Sequence, residues 1–232
     1  MARSVVLEST LRCPRCRFTP RWCVCAAERA VAVPLAVDVL IHRRELRRPT
    51  STGRLINRIV PASRAHLYER LVRPERDAIV RPGRELWILH PRGDPAPAGV
   101  PADAVQVLLL DGSWTEAASM LAAVEGWGRR VRVPEAGPSR YWLRGARDGA
   151  QRSTIEALIA LLGHFGLAAE AAALHAQFEL HVYAGLRTRG AKARAEEFLA
   201  TSALPREFPD LMQQLAERRP NPGSFRRAEI SG

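Results

Sequence analysis

Asp111, Gly112, Ser113 and Trp114 stand in a row directly after the apolar run AVQVLLL at 104–110. A carboxylate at the end of a buried strand can act as a general base. An ordinary aspartate, with a pKa of about 3.9, is a weak one, and burial beside Trp114 would raise it. The same residue types also suit plain structure. Asp and Ser are common helix caps, and Ser113 followed by Glu116 has capping-box spacing for a helix starting near Thr115. Trp114 reads either as core or as a stacking wall for a flat ring.

A second constellation is CPRCRFTPRWCVC, which places Cys13, Cys16, Cys23 and Cys25 close together. A C-x2-C pair followed by C-x-C can close a tetrahedral thiolate shell around zinc. Four thiolates leave no open coordination position, so such an ion is structural. An iron–sulfur cluster, metal-free thiols and disulfides are the competing readings, and a reducing compartment disfavours disulfides. Arg12, Arg15, Arg17 and Arg21 around these cysteines can grip nucleic acid. Trp22 either stacks on a base or packs against the rest of the chain.

Further candidates lie in four more places. IHRRELRRPTSTGRL carries His42, Glu45 and the pair Thr52-Gly53; His90 and Pro91 end another apolar run; YWLR carries Arg144; RSTIEALIALL opens with Ser153 and Thr154, with Glu156 in its first turn. Arg144 has the fork that fits a carboxylate or phosphate. Ser153 and Thr154 read first as caps, although a helix N-terminus also attracts anions. The basic stretch GLRTRGAKARAEE at 185–197 can face nucleic acid or solvent.

The elements that position these residues alternate between strand and helix. LAVDVLI (35–41), ELWILH (85–90), AVQVLLLD (104–111) and RRVRVP (129–134) are short, apolar or β-branched, and read as strands. Helices are expected from about Thr52, over 115–125, and over 153–165 and 168–189. This pattern predicts an α/β fold with a largely parallel sheet and helices on both faces. Ligands of such sheets bind beyond the carboxyl ends of strands, where His42, His90 and Asp111 fall. The chain divides into a four-cysteine knuckle at 1–30, an α/β unit at 31–200 and an extension at 201–232. Pro205, Pro209, Pro220 and Pro222 make the extension partly irregular.

The 232 residues carry a net charge of +11, which favours a polyanionic partner, nucleic acid first. Lys192 is the only lysine, and arginine supplies the rest of the positive charge. No apolar run reaches membrane-spanning length, and MARSVVLESTLRC lacks the apolar core of a signal peptide. The chain therefore reads as cytoplasmic, with no membrane partner.

The cysteine knuckle followed in order by IHRRELRRPTSTGRL, LLLDGSWTEA, YWLR and RSTIEALIALL resembles the DTW-domain family over roughly residues 13–190. Two departures stand out. The family's Asp-x-Thr-Trp reads Asp-Gly-Ser-Trp, which keeps the hydroxyl and loses a methyl. Arg43 replaces the family's proline after His42, which alters the first loop. The resemblance implies a tRNA-uridine aminocarboxypropyltransferase related to the SPOUT methyltransferases, with a trefoil-knotted C-terminal half of the sheet. It implies that S-adenosylmethionine gives its 3-amino-3-carboxypropyl group to the ring imide nitrogen of a tRNA uridine and leaves as methylthioadenosine. By the same resemblance Asp111, Ser113 and Trp114 form the catalytic set. His90, Pro91, Leu110, Gly112, Arg144, Ser153 and Thr154 bind the donor, and His42, Glu45, Thr52 and Gly53 form the substrate loop. A nearby sulfonium would lower Asp111 again, against the effect of burial. The partner is tRNA, and the chain is a monomer or homodimer. Methyl transfer from the same donor, an rRNA acceptor and a non-catalytic zinc RNA-binding protein are the competing functions.

Overall fold

The computed structural model describes residues 11–134, 137–144 and 152–217. Among them five strands pair in parallel throughout: β1 (Ala36–His42), β2 (Arg64–Tyr68), β3 (Glu85–Pro95), β4 (Val105–Asp111) and β5 (Arg129–Arg132), in the order β2-β1-β4-β3-β5. The helices are α1 (Thr52–Ile59), α2 (Arg76–Ile79), α3 (Trp114–Ala123), α4 (Thr154–His164), α5 (Ala168–Thr188), α6 (Lys192–Ala200), α7 (Leu204–Glu207) and α8 (Pro209–Glu217).

Alternate side chains of a strand point to opposite faces, and both faces here are covered. Val37, Val39 and Ile41 of β1, with Val105, Val107 and Leu109 of β4, enter a large cluster with α1, α4 and α5. Leu40 and Leu108 enter a smaller one with Ile79, Met120 and Val124. The expected strands are all present, with ends shifted by one or two residues except in β3. That strand runs on through Pro91 and Gly93, because Asp94 and Pro95 pair with Val131 and Arg132 after a register shift. A side chain at Gly93 would meet the Val131 backbone at 2.6 Å.

Three features go beyond the sequence expectation. β2 has no periodic signal because it is an edge strand in which only Tyr68 is buried. α6 organises the basic stretch after 191 into helix. Residues 204–217 are almost wholly helical, within an extension expected to be partly irregular. Pro205 lies in the first turn of α7 and Pro209 starts α8, positions where the missing N–H is an orphan in any case. The rest of the extension, 218–232, lies outside the described residues. None of the described helices is long and apolar enough to cross a membrane.

One buried charge sits inside the sheet. Asp38 is fully buried and bonds His66 Nε2 at 2.7 Å, Arg81 Nε at 2.9 Å and Gln106 Nε2 at 2.8 Å. Gln106 also bonds the Arg81 N–H at 2.7 Å, which ties the network to the chain after α2. Burial alone would raise the Asp38 carboxyl, but His66, Arg81 and Gln106 outweigh it and hold it below its ordinary 3.8. A depressed folded-state pKa means that its stabilisation is present above the unfolded value and is lost as pH falls through the folded one. Wild type should therefore lose stability steeply in urea titrations below about pH 4, and Asp38→Asn should flatten that dependence. Asp38→Ala should cost about 3–5 kcal/mol at neutral pH, because it strands Arg81 and Gln106.

Candidate functional site

The strand order places the carboxyl ends of β1 and β4 side by side, with Ile41 opposite Asp111. From there the chain leaves β1 toward β2 and leaves β4 toward β5, so this is a crossover point of the kind at which parallel sheets bind ligands. A cavity of about 590 Å³ lies there, in the size range of small-molecule sites. Of the residues singled out in the sequence, Thr52, His90, Pro91, Leu110, Asp111, Gly112, Ser113, Trp114, Arg144, Ser153 and Thr154 line it. His42, Glu45 and Gly53 do not, and the cysteines form a separate cluster.

Asp111 is the junction of the site. It is buried, and its carboxylate accepts from Ser51 Oγ at 2.6 Å, the Gly53 N–H at 3.1 Å and Thr154 Oγ1 at 2.7 Å. It thus joins the start of α1 to the start of α4 and caps neither α3 nor the turn it belongs to. The cap on α3 is Ser113, in a reciprocal box: Ser113 N–H to Glu116 at 2.7 Å, and Glu116 N–H to Ser113 Oγ at 3.4 Å. The hydroxyl kept in the Asp-Gly-Ser-Trp variant is the group in use. Trp114, left open between core and stacking wall, is 48% exposed at the cavity.

Gly53 explains the pair Thr52-Gly53. A Cβ there would stand 2.6 Å from Asp111 Cγ and 2.9 Å from its Oδ2. Only glycine lets the carboxylate reach the helix N–H. Gly53→Ala should therefore push α1 off Asp111 and lower stability by about 1–3 kcal/mol, as thermal melting would register. An unchanged melting temperature would refute this.

The loop after β1 is held by charge. Glu45 is fully buried and pairs with both Arg48 and Arg144. His42 Nδ1 lies 3.3 Å from the Arg44 N–H and 3.3 Å from Glu116 Oε1; one ring nitrogen serves one of these, according to its tautomer. Burial alone would raise Glu116, but the Ser113 backbone N–H and hydroxyl, His42 and Arg48 hold it below the ordinary range. His42 and Glu45 are thus engaged in holding the loop.

Arg144 lines the cavity, yet its guanidinium is already paired with Glu45. Ser153 gives its N–H and hydroxyl to Glu156 at 2.7 and 2.8 Å, so the start of α4 is satisfied within the protein. Sequence reasoning missed Tyr141, Arg132 and Arg152, all on the cavity wall. Tyr141 donates its hydroxyl to the Thr50 carbonyl, and burial pushes its pKa up. Arg132 makes no side-chain hydrogen bond or ion pair with the described residues, and Arg152 meets only the Gly137 carbonyl, at 2.8 Å. The signal for both was their place, Arg132 as the last residue of β5 and Arg152 just before the N-cap of α4. His90 accepts from the Arg92 N–H at 3.1 Å through Nδ1, which leaves Nε2–H as a donor. Burial, Arg130 and Arg92 lower its pKa, so it stays neutral.

The four cysteine sulfurs lie within 4.8 Å of one another. Cys13 and Cys25 sulfurs are 3.7 Å apart and those of Cys16 and Cys23 are 3.8 Å apart. A tetrahedron with Zn–S bonds of about 2.3 Å has edges of about 3.8 Å, the separation of these two pairs, so the cluster is compatible with zinc. Cys16, Phe18, Trp22 and Val24 belong to the large core cluster. Trp22 is packed, edge-on to Tyr183 at 6.5 Å and between Arg21 and Arg187, and so is not a base-stacking platform. Glu28 clips the knuckle to α1 through Arg58 at 2.8 Å.

A family model described as the DTW domain matches residues 10–184. No solved structure matches the chain.

Proposed function

Because the chain belongs to the DTW-domain family, we propose that it is a tRNA-modifying enzyme, and more specifically an S-adenosylmethionine-dependent tRNA-uridine aminocarboxypropyltransferase. The observation that carries this reading is the gathering of singled-out residues from five separate stretches around one cavity at the carboxyl edge of a parallel sheet. The proposed layout is a zinc knuckle at 1–30, a catalytic unit at 31–200 and an extension at 201–232. The strand order β2-β1-β4-β3-β5 supports a SPOUT-like architecture. The knot implied by the resemblance involves the loop after β5, of which 135–136 and 145–151 lie outside the described residues.

In the proposed reaction the uridine imide gives its proton to Asp111. The nitrogen then forms a bond to the γ-carbon of the aminocarboxypropyl group as the carbon–sulfur bond breaks. The electron pair goes to sulfur, and methylthioadenosine leaves. Oδ1 of Asp111 already takes two donors and Oδ2 one, which leaves Oδ2 an acceptor position for that proton. The Asp111 charge also attracts the cationic sulfur. Leu89, Leu109, Val131, Val133 and Ala157 supply apolar surface for the donor, and His90 Nε2–H a hydrogen bond. Arg132 and Arg152 are better placed than Arg144 to meet the donor carboxylate, since Glu45 neutralises Arg144.

The test is mass spectrometry of nucleosides from unmodified tRNA incubated with the protein and S-adenosylmethionine. A uridine heavier by an aminocarboxypropyl group, with methylthioadenosine released, is the expected result. A methyl adduct would replace the reaction with methyl transfer, and no adduct would overturn the enzyme reading.

A further inference from the structure

We propose that the segments following β1 and β2 form a cationic shelf that seats an unpaired stretch of RNA beside the cavity. This rests on the RNA-substrate part of the preceding reading and deepens it.

The chain carries +11, and the question is where that charge is uncommitted. At the knuckle most of it is engaged, with Arg17 exposed and making no side-chain hydrogen bond or ion pair with the described residues. Arg12 bonds the Arg17 carbonyl at 2.8 Å, Arg15 pairs with Glu28 at 3.2 Å, and Arg21 lies over Trp22. The stretch 185–197 is spent too. Arg187 covers Trp22, Arg189 bonds the Leu143 carbonyl at 2.5 Å, Lys192 lies 3.9 Å from Glu196, and Arg194 covers Trp142. In the segments after β1 and β2, three arginines, Arg47, Arg70 and Arg73, are exposed and make no side-chain hydrogen bond or ion pair with the described residues.

Their placement is shared. His42 and Tyr68 are register partners, so the two segments leave the sheet side by side at the cavity's edge of the fold. Arg43 bonds both oxygens of Glu69 at 3.0 Å and laces the segments together. Arg44 reaches Glu116 at 3.7 Å, in the first turn of α3, the turn that carries Trp114. The Val72 N–H bonds the Glu69 carbonyl at 2.9 Å, which closes a tight turn with Arg70 and Leu71 at its tip. Leu71 is 96% exposed. Free arginines, a protruding aliphatic residue and an exposed indole beside the cavity suit a strand whose bases are unstacked. A duplex would offer them only its backbone and groove edges.

The experiment is fluorescence anisotropy with the full-length chain, a labelled RNA hairpin with an unpaired loop, and a blunt duplex of the same stem. The triple variant R47Q/R70Q/R73Q should bind the hairpin at least about tenfold more weakly. Its log–log salt slope should be smaller by about 2, the value for three phosphate contacts on single-stranded RNA. W114A should lose a further fivefold or more, by about one stacked base. The comparison variant R12Q/R15Q/R17Q should keep the wild-type slope. A slope lost in the knuckle variant and kept in the shelf variant would overturn the proposal, as would equal affinity for hairpin and duplex. The assay needs no transfer, so the two readings can fail separately. Loss of hairpin binding in the shelf variant with no nucleoside adduct in wild type would leave the shelf standing without the transferase. Wild-type binding and adduct formation in the shelf variant would leave the transferase without the shelf.

Discussion

Asp111→Asn is expected to fold normally and to lose product formation by a factor of about 10² or more, the usual size of a general-base contribution. The amide can keep the architecture. Its oxygen still accepts from the Gly53 N–H and Thr154 Oγ1, and its NH2 can donate to Ser51 Oγ, whose own proton then turns elsewhere. What vanishes is the negative charge and, in the proposed reaction, the acceptor of the imide proton. Asp111→Ala would be a poorer test, because it strands three donors at the junction of α1 and α4. The measurement is single-turnover formation of the modified nucleoside, paired with a melting curve. Near-wild-type turnover in a well-folded Asn variant would remove Asp111 as base and leave it the junction residue that its hydrogen bonds already make it.

The other large effect concerns the knuckle. Cys16→Ser, or removal of the metal by a strong chelator, should destabilise the protein on the order of several kcal/mol, since binding energy in a structural zinc site is folding energy. The size follows from burial: Cys16 is 1% exposed, and its neighbours Phe18, Trp22 and Val24 sit in the main core. The loss should reach the site as well. Arg54, whose N–H bonds Ser51 Oγ at 3.1 Å, also bonds the Arg15 carbonyl at 3.2 Å, so the knuckle braces the helix that bonds Asp111. Elemental analysis should find one zinc per wild-type chain and none in the variant, with a lower melting temperature. A zinc-free variant that melts with wild type would show that the knuckle is not part of the folded core.

The sequence by itself determined whatever short-range chemistry governs. Short apolar or β-branched runs located four of the five strands, because strands covered on both faces, such as β1 and β4, read as near-continuous apolar stretches. The Ser113–Glu116 box was legible because capping spacing is local. The cysteine cluster was legible because the C-x2-C and C-x-C spacings are local. β2 was not, since an edge strand buries too little to impose a pattern. The prolines of the C-terminal segment did not show where its helices start, because proline breaks a helix interior but starts a helix. Only the tertiary structure decided what Asp111 does. Its partners Ser51 and Thr154 lie 60 and 43 residues away, and they meet it because the strand order sets β1 beside β4. The same long-range assembly gave Arg144 to Glu45, 99 residues distant, and left Arg132 and Arg152 facing the cavity. Residue type and spacing name the groups able to do chemistry; which of them keep a free lone pair or an unpaired charge is settled only when distant elements have taken the others.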